Sequence, residues 1–192
     1  TAAPSYAVAA MIATMNPQAA AILQQIPYAT MNVVCFGYPR DRIAADLDGF
    51  GYLIPRAEGR HTLGTLWDSS IFPNRAPAGH VLLRSMMGGA TSPGAIDLSE
   101  DEVVQRTMED LDQIMGIKTR PDFVRVFRHP RAIPQYTRGH GARVAALQDA
   151  LTTAPGFFVT GNAFYGVGLN DCVNAANRAA EQVIGRLRKS GD

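Results

Sequence analysis

The residues with the clearest chemical potential form a glycine-rich turn. Gly161, Gly166 and Gly168 follow the apolar run 157–159 and precede apolar residues at helical spacing. This pattern predicts a short buried strand, a tight turn and a long helix that begins after Gly168. The first backbone N–H groups of a helix have no intrahelical acceptor and lie at the positive end of its dipole. We therefore expect the turn to face an electron-rich group.

Two other interpretations of this turn compete with a general ligand site. A phosphate-binding P-loop requires Lys and then Ser or Thr after its last glycine, whereas Val167 and Gly168 follow Gly166. The sequence thus excludes a P-loop. A turn in which the glycines serve only backbone geometry stays open, because spacing alone does not distinguish it from a ligand site.

A resemblance to a known family favours the ligand site. Residues 161–172, Gly-Asn-Ala-Phe-Tyr-Gly-Val-Gly-Leu-Asn-Asp-Cys, resemble the C-terminal flavin motif of the oxygen-dependent protoporphyrinogen oxidases, within the FAD-dependent amine-oxidase-like superfamily. Further segments resemble signatures of the same family, in the family's order: Gly-Phe-Gly-Tyr-Leu-Ile-Pro at 49–55, Thr-Leu-Gly-Thr-Leu at 62–66, Phe-Pro-Asn-Arg-Ala-Pro at 72–77 and Met-Met-Gly-Gly at 86–89.

The resemblance implies FAD as the cofactor. In this family the glycine turn passes along the flavin, and the helix start faces the pyrimidine edge of the isoalloxazine ring. Fixed N–H dipoles there would stabilise the negative charge that a flavin gains with hydride. The implied cofactor contacts are Asn162, Val167, Gly168 and Leu169. Tyr136 is expected to be a packed tyrosine with a satisfied hydroxyl, and a contact with the cofactor is the alternative.

The same resemblance implies a tetrapyrrole substrate. The family's sheet forms the wall of an apolar pocket, and the residues at the pocket positions are Phe50, Leu53, Leu66 and Met86. The implied reaction is the oxidation of protoporphyrinogen IX to protoporphyrin IX in haem biosynthesis, with oxygen as the acceptor and hydrogen peroxide as a product. No catalytic residue is assigned, because positioning and desolvation would supply most of the rate. The alternatives are coproporphyrinogen III as the substrate, or a non-catalytic domain when the chain is isolated.

The pattern of elements predicts an α+β fold. Short strands separated by turns indicate an antiparallel or mixed sheet, covered by a helix at 99–115 whose start carries a capping box. The family adds the C-terminal strand and helix of a Rossmann-like FAD domain. We therefore expect residues 1–28 to connect from the FAD domain, 29–135 to form the substrate-binding domain, and 136–192 to return to the FAD domain. The predicted strands are 30–38, 49–55, 62–67, 81–89 and 121–127; the other predicted helices are 5–15, one from Pro17, and 142–151.

Composition limits the partners. The 192 residues are 46% hydrophobic and 18% charged with a net charge of +1, which is typical of a folded domain and gives no basis for nucleic-acid binding. Two distant cysteines and four histidines show no metal-ligand spacing, so no metal site is predicted. No apolar run is long enough to span a bilayer.

The absence of a Gly-x-Gly-x-x-Gly fingerprint suggests that the chain is a fragment of a larger flavoprotein, inactive by itself. Its expected partner is then the N-terminal half of the same protein, which would bind the ADP part of FAD. The family also implies a homodimer in the cytoplasm, with a peripheral position on the inner face of the cell membrane as the alternative. Any membrane contact is expected to come from parts outside this chain.

Overall fold

The computed structural model describes residues 1–190, with side chains through residue 188. The chain divides into two compact units. One unit is formed by Thr1–Tyr28 together with the residues from Ile133 onward, and the other by Ala29–Ala132. Helices and an antiparallel-paired sheet occur together, which confirms the predicted α+β class.

A five-stranded sheet organises the Ala29–Ala132 unit. Its spatial order is β2-β3-β4-β1-β5, and the strands are β1 (Tyr28–Pro39), β2 (Gly51–Leu53), β3 (Gly64–Leu66), β4 (His80–Gly88) and β5 (Phe123–Pro134). Four strands lie within or close to their predicted ranges. β5 extends seven residues past the predicted end at 127, through Pro130 and Pro134. An edge strand tolerates proline because one row of its N–H groups faces away from the ladder.

The two faces of the sheet differ in burial because side chains alternate along each strand. In β1 and β4, one face carries residues that belong to a hydrophobic core and are less than a tenth exposed: Val34, Phe36, Tyr38, Val81, Leu83 and Met87. Most of the alternate residues of these strands are half-buried, namely Val33, Cys35, Gly37, Pro39, Leu82, Arg84 and Met86. Within the described residues of this unit, the core face is therefore covered and the other face, here called the open face, is not.

Helix α4 (Glu100–Met115) contributes to that core. Ser99 caps it in a full capping box with Glu102, and Gly116 ends it in the left-handed conformation. Val103 and Leu111 are buried in the core cluster. The sequence thus predicted this helix correctly, because both of its ends carry local stop signals.

A buried carboxylate holds the loop before β3 against α4. Asp110 is 2% exposed, and its Oδ2 accepts hydrogen bonds from the His61 N–H at 3.0 Å, the Thr62 N–H at 2.7 Å and the Thr62 hydroxyl at 2.8 Å. Across the neighbouring strands, the Thr65 and Ser85 hydroxyls are 2.8 Å apart. These bonds satisfy polar groups that burial would otherwise penalise.

The outer strand β2 pairs closely with β3. Gly51 has φ +125°, and a Cβ there would overlap the Thr65 carbonyl oxygen. Glycine is therefore required at this position by both conformation and space.

The other unit is mostly helical. Its helices are α1 (Ser5–Ile12), α2 (Pro17–Gln24), α5 (His140–Leu151) and α6 (Leu169–Ser190), and its core includes Val8, Ile12, Leu23, Leu147 and Phe164. Asn16 caps α2 as predicted, by accepting the Ala19 N–H at 2.9 Å. The prediction that Ser5 caps α1 is wrong, because Pro4 occupies the N-cap and Ser5 lies buried inside the first turn.

The predicted strand at 157–159 does not form. Among the described residues, the extended backbone partner of this segment is Thr1: its ammonium group donates to the Phe158 carbonyl at 2.7 Å and its carbonyl accepts the Thr160 N–H at 2.9 Å, while the Phe157 N–H donates to the Ala154 carbonyl. A strand needs a continuous ladder of partners, and one residue does not provide it.

Helix α6 begins where the sequence predicted but is mostly exposed. Its outward apolar residues are between 37% and 81% exposed: Leu169, Val173, Val183, Ile184 and Leu187. Ala175 is buried.

Replacing Asp110 with alanine should destabilise the Ala29–Ala132 unit. The change leaves buried donors of His61 and Thr62 without an acceptor, at a cost of about 2–4 kcal/mol. Hydrogen exchange at the two amides should accelerate strongly. Asp112→Ala is the matched control on the same helix, and equal acceleration in both variants would contradict the role of Asp110.

Candidate functional site

The glycine turn is shaped by two side chains within its own unit. Gly166 has φ +138°, and a Cβ there would overlap the carboxylate of Asp171. That carboxylate accepts the Gly168 N–H at 3.3 Å, so it lies at the start of α6, where a negative charge is favoured. The lack of a side chain at Gly166 therefore makes room for an internal cap.

Tyr136 braces the turn from the segment that precedes α5. Its hydroxyl donates to the Asn162 carbonyl at 2.8 Å and accepts the Gly166 N–H at 2.7 Å. Its ring stacks on the His140 imidazole with centroids 3.9 Å apart. Partial burial raises the pKa of Tyr136, while the hydrogen bond from Gly166 opposes that rise. The expectation of a satisfied hydroxyl is confirmed.

The predicted flavin contacts lie on this braced turn. Asn162 is half-buried, and Val167 and Leu169 are 51% and 81% exposed. Within the described residues, the backbone N–H groups of Val167 and Leu169 make no hydrogen bond, whereas that of Gly168 is occupied by Asp171. Two donors at the positive end of α6 are thus free for an electron-rich group, and the turn fits a flavin edge at those positions.

Sequence reasoning missed the roles of Asp171 and the Tyr136 hydroxyl in shaping this turn. For Asp171 a signal was present, since an acidic residue in the first turn of a helix is a common N-terminal feature. The contact of Tyr136 with Gly166 joins residues 30 positions apart, and no local pattern indicates such a pair.

The predicted substrate residues lie in the other unit, and three of them share the open face of the sheet. On β3, Gly64 lies opposite Met86 of β4 and opposite Leu53 of β2. Leu66 lies two residues further along β3 and therefore on the same face. Leu53 is 77% exposed, and Leu66 and Met86 are half-buried. Phe50 lies just before β2, with its side chain 74% exposed and its carbonyl accepting the Trp67 N–H.

One charged pair interrupts this apolar face. Arg84 lies opposite Leu66 and between Leu82 and Met86 on β4, and it forms a two-pronged ion pair with Asp68. The Arg84 Nε–Asp68 Oδ2 distance is 2.8 Å and the Nη2–Oδ1 distance is 2.9 Å. Asp68 begins the short helix α3 (Asp68–Ile71) and is 8% exposed. The sequence analysis did not single out this pair.

Metal and membrane features are absent from the residues that the structure describes. Their His, Cys, Asp and Glu side chains form no cluster that could hold a metal ion. Among the same residues, no helix combines the length and apolar character needed to cross a membrane.

Comparison with known proteins identifies the family. The model for flavin containing amine oxidoreductases matches residues 1–184. The chain belongs to this family. The predicted membership in a family of flavin-containing oxidoreductases is thereby confirmed.

The curated relatives of this chain include two kinds of porphyrinogen oxidase. The chain is 37% identical to the chloroplastic protoporphyrinogen oxidase of Oryza sativa subsp. japonica over 97% of this chain and 37% of that protein. It is 31% identical to the coproporphyrinogen III oxidase of Bacillus subtilis (strain 168) over 95% of this chain and 38% of that protein. It thus spans less than two-fifths of the length of these curated relatives.

A solved structure supports the fold. A protein of Exiguobacterium sp. 255-15, provisionally assigned as a protoporphyrinogen oxidase, superposes with a TM-score of 0.78 at 23% identity, over 97% of this chain and 40% of that chain. An oxidoreductase of Methanosarcina mazei superposes with a TM-score of 0.59 at 14% identity, over 90% of this chain and 40% of that chain. At these identities the likeness concerns the fold.

Replacing Tyr136 with phenylalanine should loosen the glycine turn without unfolding its unit. The variant loses the bonds to the Asn162 carbonyl and the Gly166 N–H, each worth about 1 kcal/mol. Exchange of the Gly166 amide should accelerate, while amides of the core helix α5 keep their protection. Tyr165→Phe, which removes an exposed hydroxyl bonded to Gln148, is the control. Unchanged exchange at Gly166 in Tyr136→Phe would rule out the brace.

A second prediction concerns Gly166 itself. Gly166→Ala should displace the Asp171 carboxylate, because the new methyl group would occupy its position and the residue would carry φ +138°. A loss of about 2 kcal/mol in unfolding free energy is expected. Gly185→Ala, inside α6 with open space around it, should stabilise the helix slightly. A Gly166→Ala protein as stable as the parent would contradict the internal cap.

Proposed function

We propose that this chain is the substrate-wall and flavin-edge portion of an FAD-dependent oxidase that converts protoporphyrinogen IX to protoporphyrin IX in haem biosynthesis. One observation carries the proposal: Leu53, Leu66 and Met86, expected from the family resemblance to contact the tetrapyrrole, lie on one uncovered face of one sheet. The 37% identity to a plant protoporphyrinogen oxidase over nearly the whole chain supports it.

The open face suits a broad flat ligand. Leu53, Leu66 and Met86 offer apolar surface on which a tetrapyrrole would bury area, at about 25 cal/mol per Å². Their burial would also exclude water from the ring. No general base is needed among these residues if the protein acts by positioning and desolvation.

The glycine turn would hold the cofactor edge. When bound, FAD would accept hydride from the substrate and return the electrons to oxygen. The free N–H groups of Val167 and Leu169 would donate to the edge that becomes negative, and the brace from Tyr136 would keep them in place before the reaction. The Asn162 carbonyl accepts a hydrogen bond from the Tyr136 hydroxyl, and Asn162 would contact the cofactor from the same turn.

The remaining parts of the proposal concern the whole protein. The dinucleotide fingerprint that these residues lack would lie in the N-terminal half of the same protein, and the isolated chain would bind FAD weakly and be inactive. In this proposal residues 29–135 would bind the substrate, and residues 1–28 and 136–192 would belong to the FAD-binding domain. A homodimer in the cytoplasm, peripheral on the inner face of the membrane, completes the proposal.

Coproporphyrinogen III is the second candidate substrate. The 31% identity to a bacterial coproporphyrinogen III oxidase favours it. The two substrates differ in the number of their carboxylates, so recognition of carboxylate groups decides between them.

The test is oxidation of both porphyrinogens by the full-length protein in air, followed by porphyrin fluorescence. We expect oxidation well above autoxidation, with a higher kcat/KM for protoporphyrinogen IX. Met86→Ala should lower kcat/KM about tenfold, since a buried Met side chain contributes about 1.5–3 kcal/mol of apolar contact. Met11→Ala, at a surface methionine that is 59% exposed, should not change it. Porphyrin formation no faster than in buffer would refute the function, and a higher kcat/KM for coproporphyrinogen III would select the second candidate.

A further inference from the structure

We propose that Arg84 binds a carboxylate of the tetrapyrrole on the open face of the sheet, and that Asp68 holds the guanidinium in position to do so. The inference rests on the proposed function and deepens it, because it names a residue that would distinguish porphyrinogens by their acidic substituents.

The position of Arg84 is the first step. Leu66, Arg84 and Cys35 lie side by side across β3, β4 and β1, as the register shows. Residues directly opposite each other in antiparallel strands project from the same face. Arg84 therefore lies in the middle of the surface that carries Leu66 and Met86, rather than at its rim.

The geometry of the ion pair is the second step. Asp68 receives the Nε and one Nη2 hydrogen of Arg84, and its own side chain is 11% exposed. Asp68 therefore binds only the Nε–Nη2 edge of the guanidinium group. Within the described residues, Nη1 makes no hydrogen bond, and the Arg84 side chain is 34% exposed. The other edge of the fork is thus available to an acceptor from outside the unit.

The chemistry of the free edge selects the ligand. A guanidinium has five N–H donors in a rigid plane, and its two edges can bind two carboxylates at once. Asp68 cancels the net charge, so Arg84 does not attract anions from a distance. Instead it offers directed donors in an apolar surrounding, where a hydrogen bond to a charged acceptor is worth more than in water.

The neighbouring groups do not compete for this edge. Cys35 lies opposite Arg84 in the β1–β4 register, and burial raises the pKa of its thiol; the Asp68 carboxylate adds to the rise and the Arg84 guanidinium opposes it. The thiol is therefore neutral at physiological pH and leaves Arg84 available. Leu82 and Met86, two positions away on the same strand, are apolar.

A comparison of acid and ester forms of one ring tests the inference. The probes are protoporphyrin IX and its dimethyl ester, which share the ring and differ in the carboxylates, titrated against the full-length protein by the shift of the porphyrin absorption band. Arg84→Met should weaken binding of the acid about tenfold or more and leave the ester within about twofold. Arg120→Met, at an exposed arginine away from the open face, is the matched control and should change neither.

Two further variants distinguish a loss of carboxylate binding from a loss of protein stability. Arg84→Met leaves Asp68 buried without a partner, so Asp68→Asn with Arg84→Met removes that charge and should show the same acid-selective loss. Arg84→Lys keeps the pair with Asp68 but lacks the second edge of the fork, so it should also weaken the acid and spare the ester.

The outcomes separate the two hypotheses. If the parent protein binds neither probe, the proposed function fails. If the parent binds both and the Arg84 variants weaken acid and ester equally, Arg84 only shapes the face and the inference fails. An unchanged affinity of the variants for the acid overturns it as well.

Discussion

The pairing of β1 with β4 is the constraint on which both surfaces of the sheet depend. Nine residue pairs from Met31 with Gly88 to Pro39 with His80 fix the register. A slip of one residue would exchange the two faces, because side chains alternate. Phe36 and Leu83 would then leave the core, and Arg84 and Met86 would be buried beneath α4. The energy of that core therefore also determines which side chains a ligand can reach.

The sequence predicted the elements with strong local signals and missed those determined by distant partners. Helix α4 and the Asn16 cap were predicted because capping residues, apolar spacing and a terminal glycine agree. The strand at 157–159 was wrong because its apolar run does not tell whether a pairing strand is available. The extension of β5 through Pro134 was missed because proline is unfavourable in a central strand and acceptable at an edge.

The candidate site likewise contains residues that could be predicted from the sequence and contacts that could not. The family resemblance implied Leu53, Leu66 and Met86, and the register brings those three onto one face of the sheet. Phe50, at the edge of the same pattern, is exposed before β2. The ion pair of Arg84 with Asp68 depends on a contact between a strand and a helix 16 residues apart, and charge pairs of this kind have no periodicity to reveal them. Their roles with a ligand stay predictions.

The close approach at Gly51 has a consequence for the behaviour of the protein in solution. β2 is one of the two outermost strands and only three residues long, and its first residue lies in a conformation that few other residues adopt. Long, flat outer strands offer a template on which a second molecule can add, and this one is short. The glycine that lets β2 reach β3 thereby also makes that border of the sheet a poor starting point for aggregation.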